Sequence, residues 1–261
     1  MGSPSWRSSR YGRPESSGYF SDARQRREVR KLLRVEAIEK RFGGLTALNK
    51  VSLNVEKGKV YGLIGPNGSG KTTLLNLVTG VLKPSAGKIY FKEKDVTGKP
   101  PHAITKMGMG RTFQIPRIFP ELTVEENILA VARSSNSKDR LKEIFDLVGL
   151  SLLRETKARL LGYGERKHLE LARAIALDAE LLFLDEPMAG LDKATMGAIS
   201  GQVRTLNKEM GKTLVIIEHH LEELMQLTDH VFVLDHGQKI EEGVPETIRS
   251  SKAVHRAYFG G

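Results

Sequence analysis

The chain reads as an α/β fold, in which a parallel sheet flanked by helices carries an antiparallel β subdomain and is interrupted by an inserted helical subdomain. Three observations predict this. Leu181–Leu184 and Thr213–Ile217 are short continuous apolar runs joined by an amphipathic stretch from Lys193 to Met210, the pattern of buried parallel strands with a crossover helix. Leu32–Ile38 and Val51–Val55 instead alternate apolar and polar residues, as strands with one wet face do. From Ile115 to about Gly164 the apolar spacing turns helical.

Taken in order, the two alternating strands flank a turn at Phe42-Gly43-Gly44. Lys59–Ile64 is a strand-like run, and Thr72–Val78 a helix-like one ending near Gly80. Lys88–Lys92 reads as a further strand, and Arg111-Thr112-Phe113-Gln114 ends another. Thr123-Val124-Glu125-Glu126 has the form of a capping box, in which the hydroxyl and the later carboxylate each satisfy an orphan amide at a helix start. Asp139–Val148 and Glu165–Ala176 carry helical spacing. His230–Leu234 and Gln238–Glu242 flank an Asp235-His236-Gly237 turn and read as a hairpin, and no internal repeat is present.

The 261 residues suffice for one large domain with a subdomain. There is no cysteine, which excludes disulfides, thiolate metal sites and cysteine nucleophiles. No apolar run approaches the ~18 residues of a membrane span, so a membrane role is expected to come through a partner. The net charge of +10 invites a nucleic-acid reading, but half of it lies in residues 1–31, where eight bases face three acids. That stretch is rich in Ser and Gly and holds the only tryptophan, Trp6, and it reads as a disordered basic tail ahead of a domain spanning 32–261. A contact with acidic lipid head groups and an organelle-targeting peptide are the alternatives for it.

Gly65-Pro66-Asn67-Gly68-Ser69-Gly70-Lys71-Thr72 spells GxxxxGK[ST] between a strand and a helix. The glycines let successive N–H groups curl inward around a phosphate, and the helix adds its positive end. Lys71 would reach the β- and γ-phosphates, the Thr72 hydroxyl would ligate Mg²⁺, and Thr73 extends the amide cradle. This predicts a nucleoside-triphosphate site. Downstream, Leu181–Leu184 delivers Asp185 and Glu186 to the carboxyl end of a buried strand, where ligands of parallel sheets sit. Asp185 suits a Mg²⁺ partner, and Glu186 a base that polarises an attacking water.

From Leu32 to Gly261 the order of these motifs resembles the ATP-binding subunit of ABC transporters. Leu161-Gly162-Tyr163-Gly164-Glu165 occupies the place of the signature LSGGQ, Gln114 that of the Q-loop glutamine, and Ala189-Gly190-Leu191-Asp192 that of the D-loop. His219 matches the switch histidine, with His220 behind it, and Phe42 the aromatic residue that stacks on adenine. The resemblance implies a P-loop NTPase (RecA-like) core and a helical subdomain over about 115–168. It also implies Mg-dependent ATP hydrolysis, with catalytic roles for Glu186, His219 and Gln114 and metal contacts from Thr72, Gln114 and Asp185. ATP would be sandwiched between two copies, or between this chain and a sister ATPase, so that Gly162, Gly164 and Asp192 act on the partner's nucleotide. The signature serine is Gly162 here; a backbone N–H replaces part of the lost hydroxyl bond, at a cost of about 1 kcal/mol.

Lys40-Arg41-Phe42-Gly43-Gly44-Leu45, Gly110–Gln114, Phe119–Val124, Tyr163-Gly164-Glu165, Ile217-Glu218-His219 and Ala257-Tyr258-Phe259-Gly260 resemble the larger ATPase of branched-chain amino acid importers. Gly190-Leu191-Asp192 departs from that branch, which often has a Met-Asn pair, so urea or short amide importers and the lipopolysaccharide-export ATPase remain as alternatives. The resemblance implies separate membrane permease subunits, docked on Gln114–Asn127 through Ile115, Ile118, Phe119 and Leu122. It places the chain in the cytoplasm, peripheral on the inner face of the membrane. A non-transport ATPase acting on nucleic acid would need coiled-coil heptads or two ATPase halves, and the sequence has neither. No specific nucleic acid is therefore expected as partner. A regulatory ATPase that binds ATP but seldom cleaves it is the remaining alternative.

Overall fold

A computed structural model describes residues 31–132 and 137–259. The basic tail read in residues 1–31 lies outside them except for Lys31, which already opens a strand, and Gly260 of the ending also falls outside. The chain begins with a hairpin, β1 (Lys31–Phe42) and β2 (Leu45–Glu56), and continues through β3 (Val60–Ile64), α1 (Lys71–Val78), β4 (Ala86–Phe91), β5 (Lys94–Asp95), α2 (Pro101–Lys106) and β6 (Met109–Arg111). A helical stretch follows, α3 (Val124–Leu129), α4 (Ser137–Val148) and two short 3-10 turns, leading into α5 (Tyr163–Ala176). The chain then returns to the sheet as β7 (Leu181–Asp185), α6 (Lys193–Lys208), β8 (Thr213–Ile217), α7 (Leu221–Met225), β9 (His230–Asp235), β10 (Gln238–Gly243), α8 (Pro245–Arg249) and α9 (Lys252–Phe259).

Two sheets result. The first, β2-β1-β4-β5, is antiparallel throughout. The second runs β10-β9-β3-β8-β7-β6, parallel apart from β10, which pairs antiparallel with β9 at the edge. The phosphate-loop strand β3 is therefore central, and every parallel strand from β9 to β6 points its carboxyl end to one side.

Side-chain alternation decides which face each strand residue serves. Tyr61, Leu63, Phe183, Val215, Ile217, Phe232 and Leu234 face one apolar cluster, shared with Leu74, Leu75 and Val78 of α1 and with Leu33, Val35 and Val55 of the antiparallel sheet. Val60, Leu182, Leu184, Leu214, Ile216, Val231 and Val233 face the other, shared with Phe145 of α4, Leu169 of α5 and Val203 of α6. Continuous apolar runs are what a strand buried on both faces requires.

The helical reading of Ile115 onward is corrected at its start. Residues 115–122 form no helix; the first begins at Val124. Pro116 and Pro120 are the physical reason, since proline lacks the donor a helix interior needs. Thr123 then caps α3 with both bonds of the box, Glu126 N–H to Thr123 Oγ1 at 3.1 Å and Thr123 N–H to Glu126 Oε2 at 2.7 Å. No helix of the described residues is long and apolar enough to cross a membrane.

Candidate functional site

The turn from β3 into α1 is built on backbone angles that side chains resist. Gly65, Gly68 and Gly70 lie at φ +151°, +80° and +105°. A Cβ on Gly65 would meet the Leu234 carbonyl oxygen at 2.1 Å, and one on Gly70 the Leu48 side chain at 2.6 Å. Gly65 N–H donates to Tyr258 Oη of α9 at 2.7 Å, so a distant helix fixes the loop's first amide. Burial pushes the Tyr258 phenol up to about 12, and the Gly65 N–H, which would stabilise a phenolate, opposes that.

Lys71, buried at the start of α1, turns its ammonium back onto the Gly65 and Pro66 carbonyl oxygens at 2.7 and 2.9 Å. Burial lowers its pKa, against the pull of Glu186 and Asp185. The buried Ser69 hydroxyl has no partner. A buried cation, an unpartnered hydroxyl and a glycine-rich amide ring fit a triphosphate.

This loop floors an open cleft of about 710 Å³. Asn67, Gly68, Ser69, Gly70, Lys71, Thr72 and Thr73 line one side; Phe42, Leu45, Thr46 and Ala47 form one end with the turn at His236 and Gly237. Gln114, Glu186 and His219 close the other. Phe42 is 46% exposed, with Lys40 Nζ 4.8 Å from its ring centroid.

The acidic end is tightly organised. Glu186 Oε2 accepts from Gln114 Nε2 at 2.7 Å, and Glu186 Oε1 lies 2.9 Å from His219 Nε2. One carboxylate is thus held between residues that follow β6 and β8, strands on either side of its own. Glu186 itself sits at φ +48°, the left-handed region that a non-glycine residue avoids at a cost of about 1–2 kcal/mol. Its N–H donates to the Ile217 carbonyl at 2.9 Å. The buried Glu218 carboxylate then accepts from Met188 N–H at 2.6 Å and fixes the turn beyond.

Asp185, the last residue of β7, is buried and paired with Arg111 Nη2 at 3.2 Å. Burial raises its pKa, and Arg111 opposes that. Among the described residues no three His, Cys, Asp or Glu side chains gather as a metal cage. A cation here would draw most of its oxygens from a bound phosphate chain and few from protein, which is the habit of Mg²⁺.

Gly162, Gly164 and Asp192 do not line this cleft. Gly162 is the residue before α5, and its N–H donates to Glu165 Oε2 at 2.7 Å. The Gly162 amide itself is thus engaged by the neighbouring Glu165 carboxylate. Asp192 caps α6, accepting from Thr195 N–H at 2.9 Å. Residues that the sequence reading left without a role also enter the site: Arg111 on Asp185, Asn76 accepting from Arg111 Nη1 at 2.7 Å, and Lys167 beneath Gln114 and Glu186. Arg111 was visible only as part of a motif, and Lys167 gave no signal.

The geometry therefore defines a glycine-rich loop with a buried lysine facing an acidic, glutamine- and histidine-bracketed edge, with Gly162, Gly164 and Asp192 outside the cleft. Residues 48–189 match the model of the ABC transporter family. A "probable branched-chain amino acid transport ATP-binding protein LivG" from Archaeoglobus fulgidus is 39% identical over 247 residues, 88% of this chain and 96% of the relative. The "high-affinity branched-chain amino acid transport ATP-binding protein LivG" of Escherichia coli (strain K12) is 35% identical over 249 residues, 88% of this chain and 98% of the relative. The solved ADP conformation of an ATP-binding cassette of an ABC transporter superposes with a TM-score of 0.81 at 35% identity, covering 88% of this chain and 99% of that one. The chain belongs to the ABC transporter family, as one of its nucleotide-binding ATPase cassettes.

Proposed function

We propose that the chain is the ATPase subunit of an importer for branched-chain or other small amino acids or amides, docked on separate permease subunits at the inner face of the membrane. The relatives' named roles and their near full-length coverage support this choice of solute. The exposed Ile115 and Phe119, in the proline-bearing loop after Gln114, support the docking surface. The observation that carries the catalytic reading is the Glu186 carboxylate fixed by Gln114 and His219 at the mouth of the phosphate-loop cleft.

In this reading Phe42 stacks on the adenine, and the amides of Gly68 to Thr73 hold the phosphates. Lys71 exchanges its two carbonyl partners for phosphate oxygens. Thr72, Gln114 and Asp185 would hold Mg²⁺, which when bound neutralises phosphate charge as cleavage begins. Glu186 accepts a proton from the attacking water, and His219 keeps that carboxylate aimed. Since Gly162, Gly164 and Asp192 lie off the cleft, they serve the nucleotide of a second cassette, and the working unit is a head-to-tail dimer.

The test is Glu186→Gln, with mass in solution measured with and without Mg-ATP and turnover measured alongside. The expected result is an ATP-dependent shift from monomer to dimer, with hydrolysis at or below about a hundredth of the parent rate. Steady hydrolysis by this variant would remove Glu186 from its assigned role. A variant that binds ATP yet stays monomeric points to a different sister ATPase, or to a regulatory site.

A further inference from the structure

We propose that Lys167 is a positioning residue for hydrolysis, holding the main chains of Gln114 and Glu186 together from beneath the cleft. The proposal rests on the reading that those two side chains serve the reaction. Lys167 lies on α5, the helix that starts at the signature, and is 4% exposed. Its Nζ donates to the Gln114 carbonyl oxygen at 2.7 Å and to the Glu186 carbonyl oxygen at 3.0 Å. Gln114 and Glu186 are 72 residues apart, and their side chains meet on the cleft side of the same junction.

The placement matters most for Glu186. A left-handed residue keeps its conformation only where its surroundings over-determine it. Here the N–H before Cα is held by Ile217 and the carbonyl after it by Lys167, so both flanking peptide planes are fixed. The direction of the carboxylate follows from those planes. Hydrophobic packing could fill the volume of Lys167 but could not supply two donors to two carbonyls.

Two further residues on the same face of α5 support the grip. Glu170 Oε1 accepts from Phe113 N–H at 2.9 Å, and the Arg173 guanidinium donates to the Arg117 carbonyl oxygen. Lys167 alone of the three also reaches Glu186. The buried ammonium is compensated by Glu170, Glu218, Glu186 and Asp185, which surround it; burial lowers its pKa and these acids oppose that. Movement of the loop after Gln114, where the permease contact is read, would thereby reach the carboxylate through one side chain.

The test compares full-length chains carrying Lys167→Met, Lys167→Gln and Lys167→Arg with the parent. Lys167→Met should lower kcat for ATP by about tenfold or more while KM and the affinity for a fluorescent ATP analogue stay within about twofold. Lys167→Arg, which keeps buried donors, should recover most of the rate. Hydrogen–deuterium exchange should quicken in peptides covering 113–117 and 186–191 and not across α1. Unchanged kcat and exchange, or a joint loss of rate and affinity that arginine and glutamine fail to rescue, would overturn the proposal. Glu186→Gln run in parallel separates the two claims, because full activity in that variant sinks the role of Glu186 and leaves the exchange result to judge the tie.

Discussion

Replacing Tyr258 by phenylalanine removes one oxygen and leaves the ring where it packs. That oxygen accepts the N–H of Gly65, which is buried at the end of β3. Leaving such an amide unpaired costs about 1–3 kcal/mol. For a domain of this size each kcal/mol shifts Tm by about 2–4 °C, so Tyr258→Phe should melt between a few and about ten degrees lower at pH 7. The pH dependence adds a sharper demand. The phenol titrates near 12 when folded against 10.0 in the open chain, so folding favours its neutral form. The folded state is unaffected below pH 10 and loses stability as pH rises from 10 to 12, where the open chain ionises and the buried phenol does not. Two pH units correspond to about 2.7 kcal/mol, discounted to about 2 because the residue is only partly buried. Urea unfolding of both proteins in parallel, followed by circular dichroism, should give a stability gap that is flat from neutral pH to 10 and closes by about 12. Equal stabilities at pH 7 would refute the argument that this contact anchors the phosphate loop, and a gap that stays constant through pH 12 would refute the burial that keeps the phenol neutral.

Lys71→Ala should lose tight ATP binding altogether by equilibrium titration, because the buried cation aimed at the loop is gone, while the far-UV spectrum stays that of the parent. Glu165→Gln keeps an oxygen for the Gly162 N–H but removes a negative charge from the helix end that faces the partner's nucleotide in the proposed dimer. It should raise the dimer fraction of a Glu186→Gln background at limiting Mg-ATP, read by light scattering, at a stability cost of about 0.3–1 kcal/mol from the helix dipole. Phe145→Ala, which empties a fully buried site in the helical stretch, should cost about 3–5 kcal/mol of unfolding free energy in urea titrations.

The phosphate loop was legible in the sequence because its chemistry is local: glycine angles, a lysine and a hydroxyl all lie within eight residues. The buried strands were legible because burial on both faces writes an unbroken apolar run. The acidic edge was legible residue by residue, but the bonds that join Glu186 to Gln114 and His219 depend on the strand order β8-β7-β6, which no local pattern encodes. Lys167 was invisible for the same reason. A lysine on a helix ordinarily points to water, and only the fold brings two carbonyls beneath it. The start of the helical region was misread because Ile115, Ile118 and Phe119 imitate helical spacing around prolines that forbid it. The short helices α7 and α8, of five residues each, are too brief for periodicity to register.

The left-handed backbone at Glu186 has a consequence for anyone improving the protein by selection. Glycine, and to a lesser degree asparagine, occupies that region without the penalty that glutamate bears. On the catalytic role proposed for Glu186, a screen that rewards heat resistance alone will accept substitutions at 186 that relieve this backbone strain and stop hydrolysis. Only a selection that demands turnover in the same round will keep the glutamate, and the yield of soluble protein from such a library is a misleading guide to its worth.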